Sequence, residues 1–454
     1  MESSMNASLL KAAVVAACTL LAWPSHAIDL MDAYALAASH DPTIAGAHEA
    51  LRAGREKAVQ GRALLLPQVQ LTASLTQMSD RSSSGDLPPP LADAVGSSGS
   101  GRVHEMALEM KQPIVDAKSH ADKRQLEQQT ALAELRHRDA RQELIQRVAE
   151  AYFQVLLAAE GLRVAQAEKA AVALQRDRAQ ARFDVGRGRI TDLQEAEARY
   201  DNVVTREVSA ASSLTLRRAQ FEALTGAPAD GLAVLRSGFA PQAPQPDSAG
   251  AWQSQAVIGN TRVLARQHEL AIAGIEIEKY KLSGRPTLDL VASLGRKGQS
   301  GGLSALSMPD GRTTAVVGLQ FNVPLYAGGA IRSREREAIA KRDQAEQEVG
   351  AARRDARLQA HDAYLAVTTG VSRVGSLEQA VRSAQTALEA TTLGRDLGTR
   401  TELDVLDAQQ RLYTAQLDLA QSRNDYLLGR IRLAASVGAL QEDDLRSLNA
   451  HLAP

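Results

Sequence analysis

The sequence predicts a mainly α-helical chain with a minority of membrane-type β-strands, built twice from one plan: a helix, two strands, then a long helical hairpin. Three observations carry this. None of the 15 prolines falls in 114–227 or 325–453, and proline is kept out of helix interiors because it lacks the amide donor and clashes with the preceding turn. Four segments alternate apolar and polar residues with period two, the mark of strands with unlike faces. The stretch DVGRGRITDLQEAEARYD (184–201) returns as DLGTRTELDVLDAQQRLY (396–413), with Asp184/Asp396, Gly186/Gly398, Asp192/Asp404, Ala196/Ala408 and Arg199/Arg411 each 212 positions apart.

The chain opens like an exported protein. Lys11 precedes the apolar run Ala12–Trp23, and Ser25-His26-Ala27 offers a small-residue cleavage site. Residues 1–27 are therefore expected to be a signal peptide; the run is too short to span a bilayer, which takes ~20 residues. Lipidation at Cys18, within Val15-Ala16-Ala17-Cys18, is the alternative. Cleavage after Ala27 removes the single cysteine and leaves no disulfide.

The first repeat is expected over 28–227. A helix over roughly 29–65 leads into strands at about 68–77 and 103–112, whose apolar faces are marked by Val69, Leu71, Ala73 and Leu75, then Met106, Leu108 and Met110. A helical hairpin over about 114–225 follows, in which Leu144, Val148, Ala151, Val155, Ala158 and Leu162 keep the spacing of a helix–helix seam. Gly186 can end its first helix in the left-handed conformation. Thr191 and Asp192 are expected to cap and charge the start of the second.

A Pro-rich linker, 228–249, joins this half to a second repeat over 250–440. Here a helix over about 250–283 precedes strands at about 287–295 (Leu288, Leu290, Ala292, Leu294) and 313–323 (Ala315, Val317, Leu319, Phe321, Val323). The hairpin, about 328–438, turns at Gly398 and restarts at Thr401 with Asp404. Asp41 and Asn260, like Pro67 and Pro286, are 219 apart, extending the duplication to the leading helices. Pro67, Pro113, Pro286 and Pro324 stand at the strand–helix joints, and residues 441–454 form a C-terminal tail. The turn-rich stretches 79–101 and 296–311 are expected as loops pointing away from the helical tracts, on the extracellular side.

Four strands cannot close a barrel, since the smallest membrane barrels have ~8 and lipid does not tolerate an open sheet edge. Strands that face lipid must therefore be pooled by several copies. Catalysis finds no support. The nine histidines are scattered without an HExxH pair, and Gly186-Arg187-Gly188 lacks the third glycine of a nucleotide loop. No catalytic, cofactor or metal residues are predicted. A net charge of −1 gives no basic field for nucleic acid.

The chain resembles the TolC family of outer-membrane export ducts over nearly all of its mature length, in NVPLYAGGAIRS (322–333), the two tips and SVGALQEDDLRSLNAHL (436–452). The tips and C-terminus look closest to the outer-membrane component of type I secretion systems. The resemblance implies a homotrimer, whose three copies of four strands make a twelve-stranded barrel continuous with a twelve-helix tunnel in the periplasm of a Gram-negative cell. It implies outer-membrane lipid, a periplasmic adaptor (membrane fusion) protein and an inner-membrane ABC transporter or other pump as partners. Gly186, Arg187, Gly398 and Thr399 match adaptor-docking tips. Asp192, Arg400, Asp404 and Asp407 match a periplasmic aperture gate, and a tyrosine of that network falls at Arg395. Type I protein secretion is the expected service and multidrug efflux the alternative. A reading of another class is a soluble periplasmic helical scaffold or adaptor without a pore.

Overall fold

Both helices expected ahead of the strand pairs are broken once, at the matched positions Asp41 and Asn260. A computed structural model describes residues 27–81, 98–236, 238–301 and 311–453. The expected signal peptide and Cys18 lie outside these residues, as do the middles of both expected loops. Helices α1 (Leu30–His40) and α2 (Pro42–Ala63) flank Asp41, while α5 (Ala249–Gly259) and α6 (Thr261–Leu282) flank Asn260. Pro42 disfavours helical backbone at the residue before it. In both places the breaking side chain caps the following helix: Asp41 accepts from the Thr43 amide at 3.1 Å, and Asn260 from the Arg262 amide at 3.0 Å.

The remaining elements, in chain order, are β1 (Gln68–Arg81), β2 (Ser98–Val115), α3 (Ala117–Asp184), α4 (Ile190–Thr225), β3 (Val234–Leu235), β4 (Thr287–Gly301), β5 (Gly311–Asn322), α7 (Ala330–Asp396), α8 (Glu402–Ser436), α9 (Glu442–Asn449) and β6 (Leu452–Ala453). The large strands exceed expectation at their loop ends. Met78 pairs with Gly101 and Arg102 with Ser300, so the ladder continues through glycine and serine, which carry no apolar alternation but do not oppose pairing. Pro113 lies inside β2, at a register shift between Pro113 and Val115, a place where a missing donor is tolerated.

The described chain divides into two compact units, each drawn from both halves of the sequence: 50–134 with 265–349, and 27–49 with 135–264 and 350–453. The first holds the four-stranded sheet, in the order β1-β2-β4-β5 with every pair antiparallel. Direct partners in a ladder share a face. One face therefore carries the rows Leu71–Leu108–Leu294–Ala315 and Val69–Met110–Ala292–Val317. The other carries Gln70–Glu109–Ser293–Val316 and Ser74–Glu105–Lys297–Arg312, with Lys111 bonded to Asp289 at 2.9 Å. The apolar face is open: Leu75 is 73% and Val317 77% exposed. β1 and β5 have no outer neighbour among the described residues. In the helices of this unit, burial disfavours the charge on Lys279, but Asp122 at 2.7 Å and Glu276 at 3.0 Å outweigh it and raise its pKa.

The second unit has the main core, around Leu30, Leu144, Val148, Tyr152, Phe221, Val367, Tyr426, Leu427 and Leu445. Segments that read as linker and tail are part of it. β3, from the linker, pairs with β6, from the tail. The Tyr152 hydroxyl donates to the Ala233 carbonyl at 2.8 Å, and Tyr426 to that of Gln242 at 2.8 Å. Asn449 accepts from the Leu30 amide and donates to Asp29, tying the tail to α1. Asp41 is buried against Arg147 at 2.5 Å. Burial works against its charge, yet the Thr43 amide and the Arg147 guanidinium hold its carboxyl below the usual range.

Candidate functional site

Both tips lie in this second unit, and both close with the same turn. At the end of α3, Gly186 takes a φ of 71°; its amide donates to Phe183 O at 2.9 Å, and that of Arg187 reaches back to Arg182 O at 2.8 Å. At the end of α7, Gly398 takes 78°, its amide donates to Arg395 O at 2.9 Å, and that of Thr399 reaches Gly394 O at 2.8 Å. This double bond pattern is the Schellman closure, which satisfies the last carbonyls of a helix and places one residue in the left-handed region. A Cβ added at either glycine meets nothing within 4 Å. Here φ, and not space, selects glycine.

The restarts differ. Thr401 is the N-cap of α8, in a full capping box: its hydroxyl accepts from the Asp404 amide at 3.1 Å while the Asp404 carboxylate accepts from the Thr401 amide at 2.8 Å. Bonds from the Thr401 amide and then its hydroxyl hold the Asp404 carboxyl below the usual range, with Arg400 and Arg411 adding to this. The expected cap at Thr191 is not formed. Arg189 is the N-cap of α4, without a side-chain bond, because the two turns have the same length and Arg189 stands where Thr401 stands in the second, which leaves Thr191 inside the helix. Asp192 remains as the first-turn acid, exposed, with the Thr191 hydroxyl at 3.5 Å.

Above the tips α8 packs onto the α3–α4 pair, Leu406 meeting Val172 and Val203. Arg199 of α4 pairs with Asp407 of α8 at 2.9 Å. Glu402, with only 21% of its side chain exposed, faces three cations: Arg395 at 3.4 Å, Arg182 at 3.7 Å and Arg178 at 3.9 Å. Arg395 also bonds Asp396 at 2.7 Å, which, against burial and with help from Glu402, raises its pKa further. The Arg176 guanidinium lies 4.3 Å over the Tyr200 ring.

The structure thus brings Arg395 and Asp407 into ion pairs across helices and Asp404 into a cap. Within one chain no ion pair joins Asp192 to Arg400 among the described residues; both side chains are exposed at the end of the unit's helices. Glu402, Arg178, Arg182 and Arg199 were missed by sequence reasoning. The only signal available was the Arg199/Arg411 repeat, which names a residue but no partner. Among the described residues no helix is long and apolar enough to cross a membrane, and none form a metal-binding cluster.

Comparison with known proteins gives one consistent picture. The model of the outer membrane efflux protein family matches residues 33–227 and 252–439. The chain is 31% identical to the outer membrane protein TolC of Vibrio cholerae over 424 residues, 93% of this chain and 94% of that one. It is 30% identical to the alkaline protease secretion protein AprF of Pseudomonas aeruginosa, over 95% of this chain and 89% of that one. Among solved structures, the outer membrane protein VceC of Vibrio cholerae superposes with a TM-score of 0.73 at 20% identity, over 90% of this chain and 96% of that one.

Proposed function

The chain belongs to the outer membrane efflux protein family, and from that premise we propose that it works as a homotrimer whose sheets close into one twelve-stranded barrel. It is an outer-membrane export channel. The observation that carries the trimer is the four-stranded sheet: one face apolar and open, and both edge strands unpartnered among the described residues. In lipid each unpaired edge amide and carbonyl is costly, and four strands are half of the ~8 that the smallest barrels need. Three copies supply twelve strands and six hairpins, so that a helical tunnel would continue the barrel into the periplasm.

In this reading a periplasmic adaptor docks on the tips at Gly186, Arg187, Gly398 and Thr399, and an inner-membrane ABC transporter feeds the duct. Asp192, Arg400, Asp404 and Asp407, with Arg395, form the aperture, the Asp192–Arg400 link running between copies. Likeness to a protease secretion protein over 95% of the chain favours type I protein secretion; multidrug efflux is the second reading. Deleting the chain in its own host should empty the medium of one secreted protein and leave drug susceptibility unchanged; the reverse result would select efflux. The lipid-facing sheet has its own test. A fluorophore on Leu71→Cys should be quenched by brominated lipid, while one on Thr72→Cys should not. Equal quenching at both, or a mature protein extracted as a monomer without detergent, would sink the duct reading.

A further inference from the structure

We propose that the apolar face of the sheet ends, on its loop side, in a binding site for the doubly phosphorylated head group of an outer-leaflet lipid, held by Arg102 and Arg296 with His104 between them. The proposal rests on the reading that this face meets lipid with its loop end outward.

Register fixes the placement. Met106 pairs directly with Arg296, and Arg102 with Ser300. His104 and Arg102 stand two and four residues from Met106 on the same strand, hence on the same face as Leu71, Leu108 and Leu294. Arg102, His104 and Arg296 are exposed. The carboxylates of Glu105, Glu109 and Asp289, and the cations Lys111 and Lys297, all belong to the opposite face, where Lys111 pairs with Asp289, Lys297 with Glu105, and Glu109 accepts from Gln70. On the apolar face beside them the partners in the ladder are neutral: Gln77 opposite Arg102, Leu75 opposite His104 and Thr313 opposite Arg296. Arg102 leans on Gln77 at 3.4 Å, and Arg296 makes no ion pair among the described residues.

A cation on the lipid side of a barrel is costly at the bilayer midplane and nearly free at the interfaces. The arginines therefore belong at head-group level, with their stems along apolar neighbours. The helix-side end of the same face carries no cation within the strands: Leu288 and Phe321 pair there. Cations confined to the outer end, with no protein anion facing them among the described residues, call for an anion from the lipid. Row by row, Arg296 and Arg102 are four residues apart, about 14 Å along the ladder. With both side chains standing out from the sheet at that spacing, a head group bearing two phosphates meets each guanidinium in place, and guanidinium binds phosphate by charge-assisted, often bidentate bonds.

The test uses the purified full-length assembly and native mass spectrometry, with diphosphorylated lipid A, enzymatically dephosphorylated lipid A, and inorganic phosphate as probes. The parent should hold the diphosphorylated lipid at least about tenfold more tightly than the dephosphorylated form, as the loss of one charge-assisted contact implies. Arg102→Gln with Arg296→Gln should abolish that preference, the Lys/Lys pair should keep most of it, and Lys297→Gln on the other face should leave it unchanged. Equal binding of both lipids by the parent would overturn the proposal, and this comparison needs no variant to fold. So would an Arg→Gln pair that binds like the parent, or displacement of the lipid by an equal concentration of inorganic phosphate. Uptake of neither lipid would bring down the lipid-facing reading and the proposal with it.

Discussion

At the first tip the chain leaves α3 through Gly186 and enters α4 with Arg189 at the N-cap and no side chain bonded there; at the second it leaves α7 through Gly398 and enters α8 through the Thr401–Asp404 box. The turns are the same because a Schellman closure is dictated by backbone alone. The restarts differ because capping depends on which side chain falls one residue before the helix. The acids differ accordingly. Asp192 stands nearly free, while Glu402, Asp404 and Asp407 are each engaged. In one protomer, then, the acids of the second tip are engaged, Glu402 and Asp407 with arginines of the first hairpin, while the first tip's own acid, Asp192, is not. A gate formed between copies would draw on Asp192, the acid that no ion pair holds within one chain among the described residues.

The turn is the place to expect the largest and most equal effects. Gly186→Trp and Gly398→Trp should each cut export by tenfold or more in a secretion assay while trimers still form. A left-handed non-glycine residue costs only ~1–2 kcal/mol, and no atom lies within 4 Å of the added Cβ at either site. Loss of trimers in either variant would make that glycine structural and leave its docking role unsupported.

Next come the ion pairs, where the tips should part company. Glu402→Gln leaves Arg178, Arg182 and Arg395 without their shared anion. Thermal unfolding in detergent should register a loss of about 1–2 kcal/mol, below the figure for a fully buried pair because the arginines are partly solvated. Asp192→Asn should change the same measurement by less than ~0.5 kcal/mol. Equal losses would erase the contrast between tips.

The smallest effects concern the restarts. Thr401→Ala should weaken the first turn of α8 by about 1 kcal/mol, seen as faster amide exchange there, and Arg189→Ala should leave α4 as it was. The pH dependence has a definite sign. The folded pKa of Asp404 lies below its ordinary 3.8, so the stability it adds is fully present above that value and is lost as pH falls through the folded one. Acid should therefore loosen the first turn of α8, which has a capping box to lose, more than that of α4, which has none, and Asp404→Asn should remove the difference.

Gly186 and Gly398 were legible in the sequence because a left-handed turn is a local demand that few residues other than glycine meet. Period-two alternation likewise revealed all four large strands, and their pairing then joined Leu71, Leu108, Leu294 and Ala315 into one face. Where the signal is not local, reading failed. Arg199 and Asp407 are 208 residues apart, and no spacing rule links them. The breaks at Asp41 and Asn260 were visible as a repeat but not as breaks, since a single capping residue inside a helical pattern leaves the periodicity on both sides intact. β3 and β6, two residues each, are too short to alternate, so the segments holding them read as linker and tail. The cap expected at Thr191 lies two residues earlier, at Arg189, within the usual slack of helix ends.

Single-channel conductance in planar bilayers tests most directly whether the tips close a trimeric duct. The parent should conduct weakly and prefer cations, because three copies of Asp404 and Asp407, three residues apart on one helix face, would bring carboxylates to the axis. Exposed ion pairs contribute only ~0–1 kcal/mol each, so three Asp192–Arg400 links would hold the aperture by no more than ~3 kcal/mol, and Arg400→Ser should raise conductance markedly. Replacing Asp404 and Asp407 by Ala should reduce cation preference and block by polyvalent cations. If both variants conduct and select like the parent, the aperture is not at these tips, and the repeated acidic helix starts serve only to begin helices.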